Sequence, residues 1–278
     1  MPVSPNGAQR ASGHRTFRLA AMAGLAAVLA VGGLTTHPQV AEAAGRKVVS
    51  VVGPVGSQTS SYIAAGKRLA AQARSYGATV YQLYSPHATW SRVRSVSQGA
   101  NLFIYLGHGN GWPSPYGPFQ RYTKDGLGLN ASDGSSRVKY YGEYYVDRYL
   151  NFAPNSVVIL NRLCYASGNN EWGSGYPTKA TAIKRVDNFG AGFLRTGARA
   201  VFANGITSAS YVLSGLFRTN RSIKQIFWSD PSAKTSYAFT FASQRNPGKW
   251  AIAAPEAPSR YYKSVIGDVN MTAATWRG

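Results

Sequence analysis

The sequence of 278 residues has few of the side chains that build metal sites and disulfide frameworks. It contains 1 cysteine and 4 histidines. A zinc site of the usual kind needs three or four converging His and Cys ligands, and the sequence has neither an HExxH motif nor paired CxxC motifs. A single cysteine also cannot form a disulfide bond within the chain. We therefore expect no metal, no cofactor and no disulfide framework.

Acidic residues are also scarce, with 10 Asp and Glu against 30 Lys and Arg, a formal net charge of +20 at pH 7. A charge of this size affects the choice of partners more than the fold, and it predicts adsorption to anionic cell-wall polymers, acidic lipids or nucleic acid. A solvated basic surface without a partner explains the charge equally well. The basic residues are scattered, and no helix-turn-helix or zinc-finger spacing is present, so specific nucleic-acid binding is not expected.

The first 43 residues have the features of an export signal. Three arginines precede an apolar run over residues 19–34, and Ala41 and Ala43 form the small-x-small pattern of a signal-peptidase site. The run is shorter than the roughly 20 apolar residues that a spanning helix needs, which favours a cleaved signal over a membrane anchor. Without an Arg-Arg pair, the general secretory route is expected. We predict a secreted or cell-wall-associated protein with no transmembrane anchor after cleavage.

The remaining chain is rich enough in apolar residues to fold. Hydrophobic residues make up 44% and aromatic residues 13% of the sequence, which is too many for a disordered chain. Buried-strand patterns alternate with helical patterns. The predicted strands lie at residues 47–52, 79–84, 101–106, 156–160 and 200–203. The intervening helical patterns include residues 90–98, 140–150, 181–196, 210–218 and 222–228.

Near-continuous hydrophobic strands separated by helices are typical of a parallel sheet that is covered on both faces. We predict an α/β three-layer sandwich with a mostly parallel, doubly wound sheet. Residues 44–278 are expected to form a single domain whose C-terminal extension, after Gly205, is irregular. The Gly-rich segment 123–130 is expected to be either a loop that covers the site or a plain connection.

Two segments place chemistry-bearing side chains just beyond buried strands. His108 follows the third predicted strand in the segment LFIYLGHGNGW, and Cys164 follows the fourth in VVILNRLCYASG. In open α/β sheets, ligands bind outside the carboxyl ends of the strands, so adjacent strands would bring the imidazole and the thiol together. A thiolate is a nucleophile, and an imidazole can protonate a departing amine.

These motifs resemble those of the caspase-like cysteine peptidases, the clan of caspases, legumains, gingipains and clostripains. The sequence HGNGW over residues 108–112 is most similar to the clostripain and gingipain branch. The segment 196–202, TGARAVF, resembles the Gly-Ala turn and the strand that follow the nucleophile region in that fold. The resemblance covers residues 47–205 and implies a caspase-like fold in a secreted bacterial peptidase.

Carried over to this sequence, the resemblance implies a Cys-His dyad that cleaves peptide bonds in a protein or peptide substrate. Cys164 would attack the scissile carbonyl, and His108 would act as general acid toward the departing amine. The backbone amides of Gly109 and Cys164 would form the oxyanion hole. Preorganised donors of that kind each lower the barrier by roughly 3 to 4 kcal/mol.

The sequence does not decide which residues select the substrate. Trp112 and Tyr165 are expected to wall a substrate pocket. Selection of Arg or Lys side chains would need a carboxylate, for which Glu171 is the first candidate; the other acids near the site are Asp125 and Asp133. Selection of acidic side chains would need arginines, and Arg162 is the nearest in sequence.

Each residue also has a structural interpretation. Cys164 alone would be read as a small buried hydrophobe, and His108 as a hydrogen-bonded loop histidine. His87, in YSPHATW, is expected to lie in a loop. The glycines of the motif would then be required only for positive backbone φ: Gly107, Gly109 and Gly111.

Three classes of function follow. The first is a secreted cysteine endopeptidase that uses Cys164 and His108. The second is a catalytically inactive caspase-like protein that binds anionic cell-surface polymers. The third is a serine hydrolase on an α/β scaffold, which is disfavoured because the sequence has no G-x-S-x-G motif.

Overall fold

A computed structural model describes residues 45–278, so the predicted signal peptide and its cleavage site after Ala43 lie outside the described residues. The strands are β1 (Lys47–Val52), β2 (Thr79–Tyr84), β3 (Leu102–Leu106), β4 (Leu127–Asn130), β5 (Val138–Tyr141), β6 (Ser156–Asn161), β7 (Ala198–Asn204), β8 (Phe239–Ala242), β9 (Trp250–Ala253) and β10 (Lys263–Gly267). The helices are α1 (Thr59–Ser75), α2 (Trp90–Ser97), α3 (Glu143–Tyr149), α4 (Lys179–Leu194), α5 (Ser210–Arg218), α6 (Ile223–Phe227) and α7 (Ala273–Arg277).

The described residues form one large sheet with the strand order β2-β1-β3-β6-β7-β10-β9-β8. The first five of these strands are parallel, and the last three continue the sheet in antiparallel fashion. The chain winds from β1 outward to β2 and then back across to β3, which is the doubly wound pattern with its switch point between β1 and β3. The predicted fold class, an α/β sandwich with a mostly parallel, doubly wound sheet, is confirmed.

Helices cover both faces of this sheet, because successive side chains of a strand point to opposite faces. Val48 and Ile104 belong to a core shared with α1, α5, α6 and α7. Val49 and Phe103 belong to a second core shared with α2, α3 and α4. Every residue of β3 is buried, as its unbroken apolar sequence predicts. The result is three layers with the parallel strands in the middle.

Local signals explain where the helices begin. The side chain of Thr178 accepts a hydrogen bond from the backbone N–H of Thr181 and caps α4. Ser222 and Gln225 form a capping box at the start of α6. No helix within residues 45–278 is long and apolar enough to cross a membrane.

Two segments differ from the sequence-based expectation. Residues Leu127–Asn130, expected to lie in a loop, form β4 and pair antiparallel with β5. The C-terminal extension, expected to be irregular, instead contributes β8, β9 and β10 to the main sheet. Strands β8 and β9 have four residues each, and β8 alternates between half-buried and exposed positions. Such short strands lack the long apolar run on which the other assignments depend.

Candidate active site

The candidate site lies at the carboxyl edge of β3 and β6, which are neighbours in the sheet. Leu106, the last residue of β3, is in register with Asn161, the last residue of β6. His108 follows two residues after Leu106, and Cys164 follows three residues after Asn161. The two predicted residues therefore leave the sheet on adjacent strands at the same edge.

The loops that carry His108 and Cys164 are in direct backbone contact. A Cβ atom added to Gly109 would overlap the carbonyl oxygen of Cys164, and one added to Gly111 would overlap the Cβ atom of Tyr165. Neither Gly109 nor Gly111 has a positive φ, and the same holds for Gly107. The expectation that these glycines serve positive φ is therefore wrong. Gly109 and Gly111 are required by the close approach of the two loops, and Gly107 by the nearby side chain of Tyr105.

Cys164 lies at the boundary between core and solvent. Its side chain is half-buried, packing against the core on one side and lining a cleft of about 830 Å³ on the other. The residues around it have unusual backbone conformations, with φ of 60° at Arg162 and 70° at Tyr165. Non-glycine residues in the left-handed region are strained and cluster at functional sites. A cysteine on a strained turn beside a cleft differs from an ordinary buried cysteine.

A tyrosine of α1 supports the turn that leads to Cys164. The hydroxyl of Tyr62 donates a hydrogen bond to the carbonyl oxygen of Arg162 at 3.1 Å, and the Arg162 guanidinium lies 5.5 Å from the centre of the Tyr62 ring. The sequence places Tyr62 on the apolar side of a helix. Its contact with Arg162, a hundred positions away, could not be predicted from the sequence.

Arg185 of α4 links the two loops by hydrogen bonds. Its side chain is only 3% exposed. Nε donates to the carbonyl oxygen of Pro113 at 2.7 Å, and Nη1 donates to that of Asn169 at 2.8 Å. The guanidinium also lies 4.7 Å from the centre of the Tyr165 ring. Because Pro113 follows the His108 loop and Asn169 follows the Cys164 loop, this arginine holds both loops in place.

Tyr105 positions the backbone at His108. Its buried hydroxyl accepts the N–H of Gly128 at 2.8 Å and lies 2.8 Å from the Gly128 carbonyl oxygen and 3.1 Å from the His108 carbonyl oxygen. Within residues 45–278, the His108 ring has no hydrogen-bond partner, and no hydrogen bond joins it to the Cys164 sulfur. The structure thus fixes the backbone of His108 and leaves the imidazole unconstrained by hydrogen bonds in this part of the chain.

Burial keeps the thiol and the imidazole neutral. It raises the pKa of the Cys164 thiol, and the negative charge of Glu171 raises it further, against the opposing effect of the Trp172 backbone amide. Burial lowers the pKa of His108, and Glu171 partly offsets that decrease. Both effects disfavour the charged forms, so near neutral pH the site holds a thiol and a neutral imidazole.

Of the three predicted substrate contacts, Glu171 lines the cleft and the other two do not. Glu171 accepts a hydrogen bond from the Tyr116 hydroxyl at 2.7 Å. Tyr165 is 1% exposed and lies under Arg185, so the prediction that it walls the pocket is wrong. Trp112 is half-buried, and its ring lies 6.5 Å from that of Phe119, outside the cleft lining. Tyr165 thus combines a positive φ of 70° with a buried ring.

Aromatic residues that the sequence analysis did not single out form the rim of the cleft. Trp172, which is 88% exposed, and Tyr176 follow Cys164 on the same loop, and both line the cleft. An exposed tryptophan beside a cleft is typical of a binding surface. The sequence could have indicated both residues, because they lie close to Cys164 along the chain.

The remaining candidate acids and the second histidine lie elsewhere. His87 Nδ1 is 2.9 Å from Asp133 Oδ1 in an exposed pair, in agreement with the expected loop position of His87. Asp125 is fully buried and accepts the Trp112 N–H at 3.0 Å. Within residues 45–278 no three His, Cys, Asp or Glu side chains come together as a metal site would require.

Comparison with known proteins gives one distant likeness. No protein-family model matches the sequence, and no curated protein matches it. Among solved structures, the chain is similar to a secreted C11 cysteine protease from Bacteroides thetaiotaomicron, solved in complex with an irreversible peptide inhibitor. The likeness covers 76% of this chain and 66% of that chain, at 10% sequence identity and a TM-score of 0.38.

Replacement of Gly109 by alanine tests the contact between the loops. The added methyl group meets the Cys164 carbonyl oxygen, so Gly109→Ala should lower the free energy of unfolding by about 1–3 kcal/mol. Gly175→Ala is the matched control, because it lies on the cleft loop with open space around its Cα and no positive φ. Urea unfolding measures both variants. Equal stability of Gly109→Ala and wild type would contradict the backbone contact.

Replacement of Asp125 by asparagine tests its burial. Burial raises the pKa of this carboxyl to about 8, against about 3.9 in an unfolded chain. Because the folded pKa is the higher one, the stabilisation is complete below the unfolded pKa and is lost as the pH rises through about 8. Asp125→Asn keeps an oxygen for the Trp112 N–H and cannot ionise. Its melting temperature should exceed that of wild type by several degrees near pH 8 and converge with it near pH 4.

Asp133→Asn serves as the control for this pH dependence. The hydrogen bond with His87 lowers the pKa of the exposed Asp133 carboxyl. Asp133→Asn removes this carboxylate and should therefore lower the melting temperature slightly at neutral pH, an effect opposite in sign to that of Asp125→Asn. Thermal unfolding followed by circular dichroism across the pH range compares the three proteins. Parallel curves for Asp125→Asn and wild type would show that Asp125 does not change its charge state on folding.

Proposed function

We propose that this chain is an exported cysteine endopeptidase in which Cys164 is the nucleophile and His108 transfers the proton. The observation that carries the proposal is the packing of Gly109 against the Cys164 backbone, which places the imidazole loop and the thiol loop side by side. Cys164 lines a cleft large enough for several residues of a peptide. The strained turn around the cysteine and the support from Arg185 and Tyr62 favour the same interpretation.

The reaction begins from the neutral pair. His108 accepts the proton of the Cys164 Sγ–H as the sulfur forms a bond to the carbonyl carbon of the substrate. The backbone amides of Gly109 and Cys164 stabilise the negative oxygen. His108 then gives the proton to the amide nitrogen as the C–N bond breaks, which releases an amine and leaves a thioester on Cys164. Water hydrolyses the thioester, which releases the acid and restores the thiol.

The substrate lies along the cleft that Glu171 and the aromatic rim line together. Trp172 and Tyr176 provide apolar surface for the peptide, and Glu171 is the acidic residue of the lining. Two arginines also line the cleft, but each lies over a tyrosine ring: Arg162 over Tyr62 and Arg260 over Tyr176. We propose that Glu171 contacts a cationic group of the substrate.

Peptide cleavage by site variants tests the function. Cys164→Ala and His108→Ala should each lower kcat/KM by at least about 100-fold, since each removes a group that takes part in bond cleavage. His87→Ala is the matched control, because His87 is exposed and paired with Asp133, and it should retain wild-type activity. A peptide library digested by the mature protein and analysed by mass spectrometry provides the measurement. Undiminished cleavage by Cys164→Ala would overturn the proposal.

Alkylation of the single cysteine tests the electrostatics of the site. Burial and Glu171 raise the pKa of Cys164, so its rate of reaction with iodoacetamide should reach half of its maximum at a pH above that of an ordinary thiol, about 8.5. Glu171→Gln removes the negative charge and should move this midpoint to lower pH. Asp133→Asn, which changes a carboxylate away from the cleft, should not move it. A midpoint that is unchanged in Glu171→Gln would show that Glu171 does not act on the thiol.

A further inference from the structure

A second concave surface lies at the opposite edge of the sheet from Cys164. Helix α2 ends just before β3 begins, and α3 ends just before β6 begins, so both helix ends lie near the amino ends of these strands. Between them is a groove of about 580 Å³, which we call the α2–α3 groove. Its lining residues are Ser91, Arg94, Ser95, Gln98, Arg148, Tyr149, Leu150 and Asn151. None of them lines the Cys164 cleft.

The α2–α3 groove carries uncompensated positive charge. Arg94 and Arg148 are exposed, and within residues 45–278 neither forms an ion pair. The lining contains no Asp or Glu. Asp147, the neighbour of Arg148 in sequence, is already held by Arg195 at 3.0 Å. The two arginines therefore have no acidic partner in the described part of the chain.

Arg94 is held in place by an aromatic ring. Its guanidinium lies 4.8 Å from the centre of the Tyr149 ring. A guanidinium stacked on a ring keeps its N–H groups at the edges available and loses less entropy when it binds an anion. Ser91 and Ser95 lie one turn apart on α2 and add hydroxyl donors to the same wall. Planar guanidinium groups with neighbouring hydroxyls match the oxygens of a phosphate.

The C-termini of two helices would by themselves oppose an anion, because their free carbonyl groups carry partial negative charge. In this groove three carbonyl groups at these helix ends accept hydrogen bonds from side chains. Gln98 Nε2 donates to the carbonyl oxygens of Arg94 at 2.6 Å and Tyr149 at 3.0 Å, and Lys47 Nζ donates to the carbonyl oxygen of Gln98 at 2.8 Å. Lys47 also adds a further positive charge beneath the groove.

We propose that the α2–α3 groove binds the phosphate groups of an anionic polymer with a phosphodiester backbone and no bases. Recognition of single-stranded nucleic acid relies on free aromatic faces for base stacking. Here Arg94 lies over the Tyr149 ring, which also packs against Tyr145 and Trp90 at 6.2 and 6.3 Å. The net charge of +20 would strengthen contacts along a polyanion. The proposal does not depend on the peptidase activity.

The test compares two charge-matched double variants. Arg94→Gln with Arg148→Gln removes the groove cations. Lys67→Gln with Arg68→Gln removes two exposed cations of α1, on the other face of the sheet, that form no ion pair within residues 45–278. Binding of poly(glycerol phosphate) is measured by titration at several salt concentrations. The groove variant should bind at least 10-fold more weakly than wild type and lower the salt slope by about 1–2, because two phosphate contacts are lost.

The α1 variant should change the affinity less than 3-fold. Arg94→Lys with Arg148→Lys keeps the charge and removes the planar stacked group, and it should bind more weakly than wild type and more tightly than the Gln pair. Melting temperatures and peptide cleavage of the groove variants should equal those of wild type. Equal losses in the groove and α1 variants would overturn the proposal by showing that net charge alone drives binding. Tighter binding of oligo(dT) than of the base-free polymer would also overturn it.

Discussion

The arrangement of the candidate site depends on the contact between the backbones of Gly109 and Cys164. No side chain fits between them, so the loop after β3 and the loop after β6 meet as bare peptide groups. Arg185 reinforces this contact by donating hydrogen bonds to carbonyl oxygens on both sides, at Pro113 and Asn169. Because interiors are close-packed and yield little to strain, the relative position of the imidazole and thiol loops is fixed by a contact that only glycine allows.

The sequence was sufficient to predict the parallel part of the fold and the edge of the sheet at which the candidate residues lie. Strands β1 and β2 begin and end as predicted, and β3 and β6 differ from prediction by one residue, because each is an apolar run with a clear stop. His108 and Cys164 follow from those strand ends. Arg185 could not be predicted, since a charged residue on a helix gives no indication that it turns inward toward main-chain carbonyls. The buried position of Tyr165 could not be predicted either, since it occurs at a positive φ that this residue type disfavours.

The few acidic residues of the chain have mainly structural roles. Most of those described hold a cross-link between distant segments. Glu143 is held by Arg195 and Arg245, Asp230 by Lys263, and Asp268 by Arg199. Asp187 accepts hydrogen bonds from Ser243 and from the backbone amide of Gln244. Few carboxylates remain to neutralise the surface, so the excess of Lys and Arg is exposed as net positive charge.

This excess charge does not act on the candidate nucleophile. In a chain with three times as many basic as acidic residues, a thiol would be expected to have cations around it and a lowered pKa. Instead Glu171 is the charged group that acts on the pKa of Cys164, and it raises that pKa. Arg185, the arginine of α4, is occupied with carbonyl groups and with the Tyr165 ring. The cations of the α2–α3 groove, which form no ion pair within residues 45–278, lie at the other edge of the sheet. The fold thus separates a near-neutral cleft from a cationic groove at the opposite ends of β3 and β6. Salt screens charges that lie more than a Debye length of about 8 to 10 Å apart, so an anion bound in the groove should have little effect on the chemistry of the cleft.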